Sequence, residues 1–346
     1  MNFTLVFLYI IVILLGFKYP KSKAVMIIAL LFSWLLMAGN YLNADYENYV
    51  FRYERGMEVF VDIGFSFLCS SFSQMGLNYQ EFKAIISLTC LVFIYRTIYK
   101  LSIKPALGAV LFLVFPFIID ITQFRNFVSY SIVFVAIPYL FDNNKISLIK
   151  YVGLVLFAAT IHITSIFYLL FITSRFKVKY WQIALLAILV YMLKEFFKNY
   201  FSVQLNTDKL EGFSQTSLLG ALFGALIVVL NFLLILFVYK NKRQNSNALQ
   251  TRGVLTSFNT EKTWLFCNAL LILIIPFLFD NANYARIYRN IAVLNMIFIN
   301  NVSLKNNVQG QLIMVLYYGY FIYSSYLSNT YFDEIVAPIF TYNSFF

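Results

Sequence analysis

The chain has 346 residues, of which 61% are hydrophobic and only 12% charged, and its mean hydropathy is +0.75. Soluble domains contain about 25% charged residues, so this composition excludes a protein whose surface is covered by water. The formal net charge of +11 would suit a nucleic-acid partner. Its placement instead matches the loops of a membrane protein, so we expect the bilayer as partner and no nucleic acid.

Apolar segments recur along the whole chain and predict one all-α polytopic membrane domain, residues 1–346, with about 11–12 transmembrane helices. The segment 59–73 carries Asp62 and several serines, which predicts an interfacial or re-entrant helix. The stretch 147–174 is predicted to be a broken or hairpinned pair that turns at His162. The predicted spans are 3–17, 24–42, 82–99, 105–119, 124–141, 147–161, 163–174, 180–197, 218–239, 263–279, 286–300 and 309–328.

The charges in the loops predict how these spans are oriented. Lys and Arg concentrate in the cytoplasmic loops of membrane proteins. With residues 18–23 inside, 17 of the 26 basic residues lie on the inner side and 13 of the 15 acidic residues on the outer side. Both termini are therefore predicted to be outside, as are the segments 43–58 and 198–217.

Three arginines stand out on this acidic outer face. Arg125 precedes one predicted span, and Arg286 and Arg289 precede another. The last two are three residues apart and would share one face of a helix. The planar guanidinium matches two phosphate oxygens at once, so the set predicts a site for a lipid-linked phosphate or pyrophosphate. The alternative is interfacial ion pairing with acidic residues, namely Asp45, Asp120 or Asp280.

Two further features of the sequence suit catalysis at that face. His162 is the only histidine, and an unperturbed pKa near 6.5 suits proton transfer at neutral pH; the alternative is a packing role. The segment 43–58 mixes carboxylates with tyrosines, a combination that holds sugars through hydrogen bonds and ring stacking. Asp45 is a candidate general base. The candidate sugar-binding residues are Tyr46, Glu47 and Tyr49.

Several other chemistries find no support in the sequence. It contains no GxxxxGK[ST], HExxH, CxxC or GxSxG motif. A single His and three scattered Cys do not provide the spacing of a transition-metal site. We therefore expect neither a metal nor a cofactor.

The order of these motifs resembles a known family. An acidic and aromatic loop follows the second span (Asp45, Tyr46, Tyr49), FRNFVSY opens a mid-chain span at Arg125, AATIHITS contains His162, and YARIYRN contains Arg286 and Arg289. This order is similar to that of the EpsG-like branch of Wzy-type polymerases, which build bacterial capsule, exopolysaccharide and O-antigen. The resemblance covers residues 40–300, and it departs from the common pattern at Asn126, after the first arginine.

The resemblance implies a metal-independent inverting glycosyl transfer between undecaprenyl-pyrophosphate-linked glycans at the outer face of the bacterial inner membrane. The donor would be the growing glycan and the acceptor one lipid-linked repeat unit, and a chain-length regulator is a further candidate partner. By this analogy Arg125, Arg286 and Arg289 hold pyrophosphate. His162 or a carboxylate such as Asp45 activates the acceptor hydroxyl.

Two other functions fit parts of the sequence. A flippase or transporter of lipid-linked oligosaccharide would place cationic residues deep in its spans and often shows internal repeats, whereas these arginines lie at the outer ends of spans. An O-antigen ligase would share the arginines and the histidine. It usually carries a large outer loop, and the longest predicted here has only about 20 residues.

Overall fold

The computed structural model describes residues 1–56, 62–142, 144–176, 218–244, 258–301 and 332–346, with a few positions within 181–192 and 318–323. These residues are helical almost throughout, and their β-pairing is limited to an isolated bridge between Asn40 and Asn343. The predicted all-α membrane architecture is confirmed. The predicted spans 180–197 and 309–328 and the outer segment 198–217 lie wholly or largely outside the described residues.

The helices are α1 (Phe3–Lys18), α2 (Lys23–Gly39), α3 (Tyr46–Arg55), α4 (Ile63–Gln74), α5 (Tyr79–Leu101), α6 (Pro105–Val114), α7 (Phe117–Thr122), α8 (Phe124–Leu140), α9 (Lys145–Ile161), a 3₁₀ helix (Ile163–Arg175), α10 (Leu218–Gln244), α11 (Phe258–Leu270), α12 (Ile275–Leu278), α13 (Ala285–Asn301) and α14 (Ala337–Thr341). A 3₁₀ turn (Leu271–Ile274) joins α11 to α12. Within the described residues, three segments are long and apolar enough to cross a membrane: Tyr79–Leu101, Leu218–Lys240 and Thr260–Leu278.

Side-chain caps define where several helices begin. Asn78 and Glu81 form a capping box at the start of α5: Asn78 Oδ1 accepts from the Glu81 backbone N–H at 3.0 Å, and Glu81 Oε2 accepts from that of Asn78 at 2.8 Å. Asn2 caps α1 and Asn144 caps α9 through their side-chain oxygens. Each cap satisfies backbone donors that a helix leaves unpaired.

Helix α8 lies at the centre of the described bundle. Almost all of its side chains are buried, and it packs against α5 and α9. Three buried asparagines, Asn231, Asn268 and Asn295, tie α10, α11 and α13 together nearby. Asn268 Nδ2 donates to Asn295 Oδ1 at 3.0 Å, and Asn295 Nδ2 donates to Asn231 Oδ1 at 3.1 Å. Polar side chains that bond across helices fix their relative positions in lipid, where unpaired amides would be costly.

The predicted break at His162 is confirmed. Helix α9 ends at Ile161, His162 has extended backbone angles, and the 3₁₀ helix begins at Ile163 and packs back against α9. Arg175 closes this hairpin, because its guanidinium donates to the backbone oxygens of Tyr139, Leu140 and Asn144 at 3.1–3.2 Å.

The predicted uninterrupted span 105–119 is wrong. Helix α6 ends at Val114, and α7 begins only at Phe117. Pro116 explains the break, since proline lacks an N–H and disfavours helical angles in the residue before it. The short α7 carries Asp120 and leads directly into α8 through Gln123.

The prediction of a short helix near 59–73 agrees with α4, Ile63–Gln74. Twelve residues extend over roughly 18 Å, too little for a hydrocarbon core about 30 Å thick. Helix α4 packs closely on α9: a Cβ at Gly64 would lie only 2.3 Å from Thr160 Oγ1. This close approach brings the start of α4 beside His162.

The acidic and aromatic segment predicted as an outer loop is instead largely helical. Helix α3 runs from Tyr46 to Arg55, and Tyr49 and Tyr53, four residues apart, form its buried face. Glu47, Glu54 and the rest of the outward face remain exposed or half-buried. Residues Tyr46–Arg55 contain no Gly or Pro, and their tyrosine rings recur at helical spacing, which explains why they form a helix rather than a loop.

Contacts link connecting segments that the sequence predicts to lie on the same side of the membrane. On the predicted inner side, the Ala106 N–H donates to Pro20 O, and Asn301 Oδ1 accepts from the Ile103 N–H. On the predicted outer side, the Asn2 N–H donates to Phe340 O at 2.7 Å.

Candidate functional site

Charged residues from five separate parts of the chain converge at the predicted outer end of the bundle. Arg125, in the first turn of α8, forms an ion pair with Asp62, which precedes α4. The Arg125 backbone N–H donates to the Tyr49 hydroxyl of α3 at 3.3 Å. His162, at the end of α9, lies beside Asp62, and Arg286 opens α13. We call the group Asp45, Asp62, Arg125, His162, Arg286 and Arg289 the outer charged cluster.

Asp62 organises this cluster and was not a predicted site residue. Its φ of +64° places it in the left-handed region, which a non-glycine residue rarely adopts. Its carboxylate does not cap α4. It pairs with Arg125, accepts from the Ile163 N–H at 3.3 Å and lies 3.9 Å from His162 Nδ1. One signal pointed to it: it is an acidic residue in an otherwise apolar and serine-rich run.

The charge state of Asp62 follows from these neighbours. Burial raises the pKa of its carboxyl, but the adjacent His162 and Arg125 outweigh burial, so the net pKa lies below the usual value of 3.8. Asp62 is therefore ionised at neutral pH. A buried, ionised and paired carboxylate is suited to orienting the Arg125 guanidinium and the His162 ring beside it.

His162 is held at the hairpin with its ring inside the protein. Its side chain is 9% exposed. Neither ring nitrogen has a hydrogen-bond partner within the described residues, because 3.9 Å to Asp62 is too long for a hydrogen bond. Both nitrogens are thus available to a ligand that enters the cluster.

Arg286 and Arg289 share one face of α13, as predicted, but have different partners. Arg286 Nη2 donates to Asn283 Oδ1 at 2.7 Å. Arg289 Nη2 donates to Asp120 Oδ1 at 3.3 Å and to Gln123 Oε1 at 2.5 Å. The interfacial pairing with Asp120 considered from the sequence therefore exists for Arg289.

Both arginines of α13 have a guanidinium N–H donor for which no described residue is the acceptor. The Nε atoms of Arg286 and Arg289 are buried and have no hydrogen-bond partner among the residues that the structure describes. Buried donors without partners are rare and costly in proteins. Such donors, in a cluster of excess positive charge, are suited to an anionic ligand with several oxygens.

Asp45 precedes α3 and is half-buried at the edge of the cluster. Burial raises the pKa of its carboxyl, and the positive charges of Arg286, Arg125 and Arg52 lower it in part, so the net pKa lies above the usual value. Its side chain does not cap α3. Asp62 is held by an ion pair, so Asp45 is the more accessible carboxylate of the two.

The candidate sugar-binding residues are placed differently from one another. Tyr49 is buried against Phe65 and Phe124, and its hydroxyl reaches the cluster. Tyr46 points away from it: its hydroxyl donates to Gln80 Oε1 at 3.0 Å, and Lys83 Nζ lies 5.4 Å from its ring centroid. Glu47 is exposed on the outward face of α3.

Metal ligands are not grouped in the part of the chain that the structure describes. No three His, Cys, Asp or Glu side chains lie close enough together there to hold an ion. Cys69, Cys90 and Cys267 are buried as free thiols. The site described above is formed by cationic and acid–base side chains.

Comparison with known proteins gives one result. The family model described as the EpsG family matches residues 23–344, nearly the whole chain. No curated protein and no solved structure matches it. The match includes every residue of the outer charged cluster. The chain therefore belongs to the EpsG family, a Wzy-like polymerase family that acts in polysaccharide synthesis.

Proposed function

We propose that this protein polymerises undecaprenyl-pyrophosphate-linked oligosaccharide repeat units into capsule, exopolysaccharide or O-antigen. The observation that carries the proposal is the convergence of Arg125, Arg286 and Arg289, which bring buried guanidinium donors to one place. A pyrophosphate is a ligand whose charge and many oxygens match them. The reaction is an inverting glycosyl transfer at the outer face of the bacterial inner membrane.

The arginines act on the leaving group. The acceptor hydroxyl attacks the anomeric carbon of the donor glycan from the face opposite the pyrophosphate. As the new C–O bond forms, the bond to pyrophosphate breaks, and its electron pair leaves with the phosphate oxygen. Positive charge fixed in advance around that oxygen stabilises the transition state more than the ground state, and no metal ion is needed for this role.

Asp45 is the base that accepts the proton of the acceptor hydroxyl. It is ionisable, half-buried and near Arg125 and Arg286, whereas Asp62 is occupied by its ion pair. His162 serves instead to bind or orient the substrate through its unpaired ring nitrogens. This assignment separates two candidates that the sequence left open.

The position of the arginines supports an enzyme over a transporter. Arg125 lies in the first turn of α8, and Arg286 lies in that of α13. A transporter binds its cargo near the middle of the bilayer, where cationic groups would have to lie deep in the spans. Groups at helix ends instead meet a headgroup at the membrane surface.

Replacing Asp45 by Asn is expected to lower the polymerisation rate by about 10²–10⁴-fold, the usual contribution of a general base. In the wild-type protein the rate falls as pH falls through the Asp45 pKa, which burial raises above that of an exposed Asp. Asp45→Asn removes this pH dependence from the residual rate. The measurement is the rate of chain extension against pH in a membrane preparation.

Two variants control that experiment. Glu54→Gln alters an exposed carboxylate on the same helix and keeps the wild-type rate. His162→Gln keeps a hydrogen-bonding side chain and leaves the acid limb of the profile in place. A near-normal rate in Asp45→Asn, together with loss of the acid limb in His162→Gln, would transfer the role of base to His162.

A further inference from the structure

An apolar groove of about 340 Å³ opens on the side of the bundle between α1, α6 and α13. The volume lies at the lower end of the range of about 300–1,000 Å³ found for small-molecule sites. Phe17 on its rim is 56% exposed and Ile322 is 44% exposed, so the groove is open towards the lipid. A chain could therefore enter it sideways from the bilayer.

The walls of the groove are lined mainly by apolar side chains. Tyr9, Ile13 and Phe17 lie on one face of α1 at i, i+4 and i+8. The polar groups in the wall are engaged with the protein itself. The Tyr9 hydroxyl donates to Leu113 O at 3.2 Å, and Asn300 Nδ2 donates to the Tyr318 hydroxyl at 2.8 Å.

The wall formed by α13 continues to the outer charged cluster. Met296 and Asn300 line the groove, and they lie seven and eleven residues after Arg289. At 100° per residue, all three side chains project within roughly 20° of one direction. With a rise of 1.5 Å per residue, the groove lies roughly 10–16 Å below Arg289 along the helix axis.

The wall formed by α6 also leads to the cluster. Leu107, Leu111 and Val114 line the groove from α6. The chain then passes Pro116 into α7, whose Asp120 carboxylate pairs with Arg289 at 3.3 Å. The walls formed by α6 and α13, which are distant in sequence, are thus both connected to the ion pair between Asp120 and Arg289.

We propose that this groove holds the isoprenoid chain of the lipid-linked substrate whose pyrophosphate lies at the arginines, an inference that rests on the proposed function. One leaflet of the hydrocarbon core is only about 15 Å deep. The deeper end of the groove, roughly 16 Å below Arg289, lies at the limit that an acyl chain of the outer leaflet reaches and well within the length of a long polyprenyl chain. An inner-leaflet phospholipid is the competing occupant.

The test uses the full-length protein in nanodiscs of phosphatidylethanolamine and phosphatidylglycerol. The probe is undecaprenyl pyrophosphate with a diazirine on its terminal isoprene unit, and mass spectrometry locates the adducts after irradiation. We expect adducts on the groove faces of α1 and α13. Ile13→Trp, which fills the groove from α1, lowers them by about tenfold. Leu14→Trp, on the 61% exposed neighbouring face, leaves them unchanged.

The outcomes are distinguishable. Adducts that decline in proportion to added phosphatidylglycerol would show that the groove binds ordinary phospholipid. Absence of groove adducts would show that another segment of the chain fills the groove. Either result overturns the proposal. If Ile13→Trp does not elute as a folded protein, Val114→Trp narrows the groove from the opposite wall. If the groove proposal is wrong but the proposed function is right, the wild-type protein still makes polymer and Arg286→Ala still does not. If the proposed function is wrong, the wild-type protein makes no polymer.

Discussion

Replacing Arg286 by Ala is expected to lower polymerisation by about 10²–10³-fold, the usual cost of removing one preorganised donor from a charged transition state. Arg286 is held by Asn283 and keeps its buried Nε free of described partners. Cells that carry only this variant should accumulate single repeat units on the lipid carrier. The measurement combines a gel of the surface glycan with mass spectrometry of the extracted lipids.

Two further substitutions sharpen this result. Arg286→Lys keeps the charge but loses the planar fork, so it should give an intermediate rate. Arg55→Ala removes an exposed arginine that lies over the Phe51 ring of α3, outside the cluster, and should leave polymer length unchanged. Polymer of normal length from Arg286→Ala, with the protein present in the membrane, would refute the pyrophosphate site.

Replacing Asp120 by Ala is expected to destabilise the fold by about 3–5 kcal/mol, because a buried charge then loses its counter-ion. Asp120 is fully buried, and the Arg289 side chain that it pairs with is 9% exposed. Among the residues that the structure describes, Gln123 is the partner that remains for the guanidinium. The measurement is thermal unfolding of the purified protein in detergent, with the exposed Asp333→Ala as control.

A double variant separates this structural role from catalysis. Asp120→Ala with Arg289→Leu removes both charges, and replacing a buried pair by apolar side chains is often tolerated. The double variant should therefore unfold at a higher temperature than the single one, yet make no polymer. A single variant as stable as wild type would show that the pair does not hold α7 against α13.

Much of the site was predictable because charge is rare in this chain. On a predicted outer face that is mostly acidic, Arg125, Arg286 and Arg289 stood out, and the lone His162 lay at a visible break in an apolar stretch. Such groups are costly at membrane depth without a partner or a ligand. The structure brings all four to the same end of the bundle, from segments far apart in sequence.

The partners of these residues were not predictable, since they depend on tertiary geometry. Asp62 reaches Arg125 and His162 only because its backbone is left-handed and because Gly64 lets α4 approach Thr160 closely. Neither condition is visible as a pattern in the sequence.

Local geometry accounts for the remaining differences in the fold. Pro116 divides a segment that hydropathy alone makes continuous, because an apolar run carries no information about where its helix must stop. Tyr46 and Tyr49 were equivalent as aromatic residues of one segment. Because α3 is a helix, the two side chains point in different directions: Tyr46 bonds to Gln80, and Tyr49 bonds to Arg125.

We propose that this protein lengthens a lipid-linked glycan without a metal ion. The most direct measurement reconstitutes the purified full-length protein in liposomes with a chelator and with lipid-linked repeat units extracted from cells that lack it. We expect a ladder of longer glycans, with one undecaprenyl pyrophosphate released for each unit added. Repeat units that cross the bilayer without being lengthened, or a ladder that forms only when divalent metal is restored, would contradict it.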